Sequence, residues 1–231
     1  MSSPEHHSSS GLQDGELATP SYRCVTQMPS GGDAVRVGSP NTATRWSNGD
    51  LTFVIDRASF SPCTRADYVE ARVLDAIKCW KGAGVRIRQA RPDEYATFVI
   101  AYRYEPNTRN GLENGITLAK SFFPSSLPQD RVLFVYEPCF WQMYYPFMSN
   151  VLSHEVGHIL GLRHEFLEDP RSMLIGRPNP HSVMNYHQDL SMMTVTSEDI
   201  DGVSNFYSCE GRVGDWQIVT VSPQRIYYIV N

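Results

Sequence analysis

The sequence predicts an α/β (α+β) fold built on a twisted sheet, and three observations predict it. Short apolar runs of strand type alternate along the chain with longer stripes of helical period. The chain is 231 residues long and 41% apolar, enough for a real core in one domain or in a domain split by a cleft. Beyond Gly161 the pattern becomes irregular, with Pro170, Pro178 and Pro180 breaking it, so a second, less regular region follows the first.

Residues 1–44 are rich in Ser, Gly, Pro and Thr and show little periodicity, which reads as a flexible leader or propeptide-like segment. His6 and His7 in it read as tail residues with no partner at metal spacing. Leu51–Ile55 is the first predicted strand. Ser61-Pro62 opens a helix, since proline suits a first turn. Ala66, Val69, Val73, Ile77 and Trp80 recur at helical spacing as its core face, and Gly82 and Gly84 end it. Val85–Arg88, Thr97–Tyr102, 115–123 and Val132–Tyr136 are further strands. A helix follows with Ser149 or Asn150 as its N-cap and Leu152, Val156 and Ile159 as its buried stripe. Ser197 caps a closing helix whose Ile200, Val203 and Tyr207 share a face, and Trp216–Val230 alternates like a terminal strand.

The chemistry lies in the second helix. Residues 154–165 read HEVGHILGLRHE. Residues four apart on a helix share a face, so His154 and His158 project side by side and two imidazoles can bind one Zn²⁺. Glu155 points near the same face, where a carboxylate can take a proton from water that the metal acidifies. Gly161 ends the helix, because glycine admits the left-handed backbone of a sharp turn, and His164 then arrives as a third ligand from another direction. Gly157 is a mid-helix glycine that costs about 1 kcal/mol against alanine, which implies a close approach of some neighbour.

This extended pattern, together with Ser182-Val183-Met184-Asn185-Tyr186, resembles the metzincins, a clan of zinc endopeptidases with HExxHxxGxxH and a methionine turn. The resemblance covers roughly residues 45–209. It implies a metzincin catalytic domain with an upper lobe at about 45–161, a lower lobe at about 162–209, and a 210–231 extension. The implied sheet is mainly parallel with an antiparallel edge strand, and the zinc lies in the cleft between the lobes. Met184 would floor the metal site without ligating. Glu165 and the Met184-x-Tyr186 order look astacin-like. Tyr186 would then ligate zinc at rest and swing aside to stabilise the oxyanion, and Glu165 would contact a trimmed N-terminus. That last contact implies that the intact leader keeps the enzyme partly latent. Two features depart from the astacins. The spacing from His164 to Met184 is short, and Leu118–Pro124 resembles the matrixin edge strand instead. Along Gly115–Lys120 an extended peptide or protein substrate would pair by its main chain. Glu113, Asn114 and Lys120 read equally well as surface residues.

Five cysteines are too few for a disulfide-dense mini-protein. Similarity to the astacins implies a Cys79–Cys209 pair, with Cys63–Cys139 as a weaker second. Cys24 follows Arg23, and matrixin propeptides use an Arg-Cys thiolate to block the zinc. The rest of that motif is missing here, so a free thiol or an exchanged partner is the expectation and a latency switch the alternative. Disulfides and family resemblance favour an extracellular compartment, yet no signal-peptide pattern is present. A net charge of −5 without a basic run argues against nucleic acid, and no apolar stretch is long enough for a membrane span. A monomer carrying one catalytic zinc is expected. Two rival readings stand beside the endopeptidase. One is a binding or toxin-like module with a structural zinc closed by His181 or His187, and the other is a hydrolase of non-peptide amides.

Overall fold

β2 (Asp50–Ile55) anchors the main sheet because Leu51, Thr52, Phe53 and Ile55 are all buried. The structure is a computed structural model, and it describes residues 22–26, 41–47, 50–104, 115–164 and 172–227. β2 pairs in parallel with β3 (Arg86–Gln89) on one side and β4 (Phe98–Arg103) on the other. β4 pairs in parallel with β6 (Val132–Tyr136), and β5 (Ala119–Lys120) closes the edge antiparallel to β6. The resulting order, β3-β2-β4-β6-β5, is the mainly parallel sheet with an antiparallel edge that the metzincin resemblance implies. β4 begins with a continuous apolar run, Phe98–Ala101, all buried, as a parallel strand covered on both faces requires.

The two helices α1 (Thr64–Cys79) and α2 (Met148–Ile159) pack on each other. Ala66, Val69, Val73 and Trp80 form the buried face of α1 as expected, with Ala76 taking the place foreseen for the half-buried Ile77. The Trp80 indole N–H donates to the Ser153 carbonyl at 2.9 Å, so the tie between the helices is polar as well as apolar. α2 begins at Met148 after a short 3₁₀ turn, one residue before the expected Ser149 cap. Ser149 instead accepts, through its carbonyl, the Ser153 hydroxyl. α3 (Ser197–Ser208) is capped by Thr196, one residue earlier than expected. Thr196 and Asp199 form a reciprocal capping box that satisfies two orphan N–H groups. Its buried face is Val203 and Phe206, with Tyr207 turned to hold the end of α2.

A second sheet was not legible in the sequence. β1 (Thr42–Trp46) pairs in parallel with β8 (Trp216–Val221), and β7 (Arg212–Val213) pairs antiparallel with β8. Residues 42–44, read from sequence as leader, thus share a sheet with residues read as a C-terminal extension. β8 is shorter than the expected Trp216–Val230 strand, and Tyr227 forms an isolated antiparallel bridge to Ala96. The Trp46 indole at the end of β1 donates to the Ile159 carbonyl at 2.7 Å and is covered by the buried Arg131 guanidinium at 4.8 Å.

The expected Cys79–Cys209 disulfide is not formed, and neither is Cys63–Cys139; all five cysteines are free. Cys79 sits on the exposed end of α1, where its thiol turns back to the Asp75 carbonyl of its own helix. Among the described residues no helix is long and apolar enough to cross a membrane.

Candidate metal centre

α2 runs beneath the sheet edge with every residue from Val151 to Ile159 buried. His154, Glu155 and His158 are each wholly buried, and His164 is 2% exposed. The turn that delivers His164 is a Schellman motif. Gly161 N–H donates to the His158 carbonyl and Leu162 N–H to the Gly157 carbonyl, both at 2.9 Å. Gly161 takes φ +100°, and a Cβ there would stand 2.8 Å from the Thr44 carbonyl of β1. Glycine is therefore required twice, for the backbone and for the approach of the second sheet.

Three imidazoles converge. His154 Nε2 and His164 Nε2 are 3.2 Å apart, and all three rings stand within about 5 Å of one another, centroid to centroid. His154 Nδ1 lies 2.7 Å from the Val183 carbonyl, and His158 Nδ1 lies 2.8 Å from the Leu162 carbonyl. A carbonyl only accepts, so each Nδ1 carries the proton and each Nε2 turns a lone pair inward. Burial pushes all three histidines below their usual range, His164 to about 3, with the neighbouring imidazoles adding to the effect on His158 and His164. Neutral, preoriented and convergent imidazoles are what a zinc ion needs. Tetrahedral bonds of about 2.0–2.1 Å place two ligand nitrogens roughly 3.3 Å apart, close to the observed spacing.

A fourth donor comes from residues 22–26. Cys24 joins His154, His158 and His164 in a buried group whose ligand atoms all lie within 4.8 Å of one another. Its Sγ is 3.4 Å from His158 Nε2 and 3.3 Å from Glu155 Oε1. Cys24 is free, as expected, and it faces the histidines, where the alternative of a thiol switch would put it. Burial and then the Glu155 carboxylate push its thiol well up. His181 is exposed and His187 points its Nε2 at the Ser182 carbonyl, so neither belongs to the group.

The same segment, residues 22–26, covers Glu155. Tyr22 hydroxyl donates to Glu155 Oε1 at 3.2 Å and Thr26 hydroxyl to Oε2 at 2.8 Å. Ser121 hydroxyl reaches Oε2 at 2.8 Å from the other side. Arg23 N–H donates to the Ile116 carbonyl at 3.0 Å, and Tyr22 forms a parallel bridge with Ile116, so the leader lies along the edge segment where substrate was expected. Within that segment only Ala119–Lys120 is regular strand. Tyr186 stands 5.0 Å from the His164 ring and donates its hydroxyl to the Cys24 carbonyl at 2.9 Å. Burial, and then Cys24, raise its phenol above the usual value. Tyr22, Thr26 and Ser121 carried no signal in the sequence, because hydroxyl residues in a leader and beside an edge strand look ordinary.

Met184 is buried with its sulfur against Gly157 of the same helix that carries His154 and His158. Asp199 of α3 holds the methionine turn by accepting from the Ser182 hydroxyl at 2.5 Å and from Val183 N–H at 3.1 Å. A Cβ on Gly157 would overlap Met184 Sδ and lie 3.2 Å from the Trp80 ring. Gly157→Ala is therefore expected to destabilise by about 1–2 kcal/mol despite its better helix propensity, because overpacking outweighs a gain of ~1 kcal/mol. Chemical denaturation of the two proteins checks this. Beside His164 and Met184 opens a cavity of about 1010 Å³, with Leu162, Leu174, Ile175, Val203, Phe206 and Trp216 among its walls. Glu165, Glu113 and Asn114 lie outside the described residues.

The depressed histidines set a pH dependence. Above the unfolded value of about 6.5 both states are neutral there and stability is level. As pH falls below 6.5 the unfolded chain takes up protons that the buried imidazoles refuse, down to their folded values, about 3 for His164. Metal-free protein should lose up to ~1.4 kcal/mol per pH unit for each histidine through this window. Urea midpoints of chelator-treated protein at pH 7.5 and pH 5 measure it, and an equal or higher midpoint at pH 5 would contradict the assignment.

No curated protein matches the chain. Among solved structures it is similar to myroilysin, with a TM-score of 0.48 and 13% identity over 72% of this chain and 96% of that one. Residues 45–208 match the matrixin (Peptidase_M10) family. That range holds the three histidines, Glu155 and the methionine turn, and it leaves Cys24 outside. The match is to the matrixins, so the astacin label drawn from Glu165 and Tyr186 is replaced: the chain belongs to the matrixin family, whose members are zinc-dependent peptidases.

Proposed function

We propose that the protein is a zinc endopeptidase whose intact chain is latent, with residues 22–26 lying in its own substrate cleft. His154, His158 and His164 would hold the zinc, and Cys24 would close its fourth position until the leader leaves. The observation that carries this reading is that the leader meets each working part at once: the histidines, Glu155, Tyr186 and the edge segment.

Zinc in such a site supplies an acidified water and a Lewis acid for the scissile carbonyl. Glu155 Oε1 faces the place now taken by the Cys24 sulfur, so it would accept the proton of the attacking water and return it to the leaving amine. Tyr186, released from the Cys24 carbonyl, would donate its hydroxyl to the developing oxyanion, a contact that counts only as charge develops. The Ile116 carbonyl, freed from Arg23 N–H, would accept from the substrate main chain. The apolar cavity beside His164 would take a large apolar substrate side chain.

The test is cleavage of an unfolded protein by a chain beginning at Asn41, with cut sites read by mass spectrometry. Cutting that a zinc chelator abolishes, with apolar residues recurring at one position beside the cut, is the expected result. Zinc bound at one per molecule with no cleavage by the shortened chain would sink the reading.

A four-donor Cys-His₃ set is also what a structural zinc site looks like, and this observation favours a binding module. Removing the leader separates the two. A structural centre would lose zinc and stability without Cys24, whereas a catalytic one keeps its zinc on three histidines.

A further inference from the structure

We propose that Ser121 is the positioning residue for Glu155, fixing which of its two carboxylate oxygens faces the reacting water. The inference deepens the endopeptidase reading and rests on it.

Glu155 is wholly buried and among the described residues has four side-chain partners, which divide unevenly between residues 22–26 and the body. Tyr22 and Cys24 meet Oε1, at 3.2 and 3.3 Å, and Thr26 meets Oε2 at 2.8 Å; all three belong to the leader. Ser121 alone belongs to the body, directly after β5, and is 5% exposed. Once the leader departs, Ser121 is the partner that stays.

Its placement is specific. The Ser121 hydroxyl lies 2.8 Å from Glu155 Oε2 and 3.0 Å from the Glu155 main-chain carbonyl. One hydroxyl proton shared between the head of the side chain and its own backbone holds the glutamate in a single fold-back conformation. With Oε2 anchored to Ser121, Oε1 is left toward the Cys24 sulfur and the histidines, which is where the water must sit when that sulfur is withdrawn. A glutamate has three rotatable bonds, and without this anchor it would share its time among rotamers, most of them unproductive.

Ser121 N–H adds a second link. In the intact chain it donates to the Thr26 hydroxyl oxygen at 2.8 Å, so the same residue seats the leader through its backbone and the base through its side chain. Departure of Thr26 therefore leaves the hydroxyl contact of Ser121 as the sole side-chain partner described for Glu155 Oε2.

The test uses the chain beginning at Asn41, loaded with zinc, as wild type, Ser121→Ala and Ser121→Thr. Crystal structures report the Glu155 rotamer, and steady-state kinetics on a peptide cut by the wild type report kcat and KM separately. Expected for Ser121→Ala are Glu155 in more than one rotamer, kcat lower by about tenfold, and KM and zinc content unchanged. Ser121→Thr keeps the hydroxyl and should restore both the single rotamer and most of kcat. A single unchanged Glu155 rotamer in Ser121→Ala overturns the proposal, as do equal losses in the two variants. If the wild type holds zinc and cuts nothing, the endopeptidase reading fails, while the rotamer comparison still decides the role of Ser121.

Discussion

Shortening the chain to begin at Asn41 is expected to raise its peptidase activity by at least ~100-fold over the intact protein, and Cys24→Ala alone by only about tenfold. The difference follows from how the leader is held. The alanine variant loses the sulfur that stands among the histidines, but it keeps Tyr22 and Thr26 on the Glu155 carboxylate, the Arg23 N–H on the Ile116 carbonyl, and Tyr186 on the carbonyl of residue 24. Each such hydrogen bond contributes about 1 kcal/mol, and those to a carboxylate about 1.5–3. A tethered segment also competes at an effective concentration of the order of millimolar, well above most substrates. Several of these contacts therefore survive loss of the thiol, and partial activation is the result. Starting at Asn41 removes them all yet keeps β1, whose pairing with β8 begins at Thr42 and whose Asn41 carbonyl accepts from Gln217 N–H at 2.8 Å. Hydrolysis of a fluorogenic peptide by the three proteins gives the ranking. Equal activity in the intact and shortened chains would mean that residues 22–26 do not block the site.

Glu155→Gln in the shortened chain is expected to lower kcat/KM by roughly 10²–10⁴ with zinc content unchanged, the range a general base contributes. Glutamine keeps the shape and still accepts from Ser121 or donates to it, but it does not take a proton. Zinc retention is the control, since Glu155 is not among the grouped donor residues. The same substitution should loosen the leader in the intact chain. Tyr22, Thr26 and Cys24 all donate toward Glu155, and an amide presents one acceptor oxygen where the carboxylate presents two. Faster proteolytic nicking between residues 27 and 40 of the intact variant would register that loosening. Full activity in Glu155→Gln would remove the residue from the chemistry.

Local pattern carried the sheet and the helices well. Val132–Tyr136 was legible to the residue because a β-branched and aromatic run between turn residues has few alternatives. The metal-facing side of α2 was legible because i, i+4 spacing and a helix-ending glycine are local geometry. Met184 and Tyr186 entered through family resemblance, and the structure puts the Tyr186 ring beside His164 and the Met184 sulfur against Gly157 of α2. Three things were hidden from local pattern for the same reason, that they depend on pairing distant in sequence, although likeness to matrixin propeptides raised a thiol switch at Cys24 as an alternative. β1 reads TATRW, too polar to announce a strand, and it becomes one by adding to β8. Cys24 returns to α2 across some 130 residues, and no spacing rule reaches that far. Ser121 matters only because Glu155 folds back to it. The disulfide expectation failed for the opposite reason: an implied pairing was carried over from the astacins, while residues 45–208 match the matrixins.

Zinc-edge X-ray absorption on the intact chain, beside the chain beginning at Asn41, would show whether His154, His158 and His164 form a single metal centre closed by the Cys24 thiol. One zinc per molecule with three nitrogen ligands and one sulfur at about 2.3 Å is predicted for the intact chain, with the sulfur replaced by an oxygen in the shortened one. A sulfur-free zinc shell in the intact chain, or loss of zinc from the shortened chain, would contradict it.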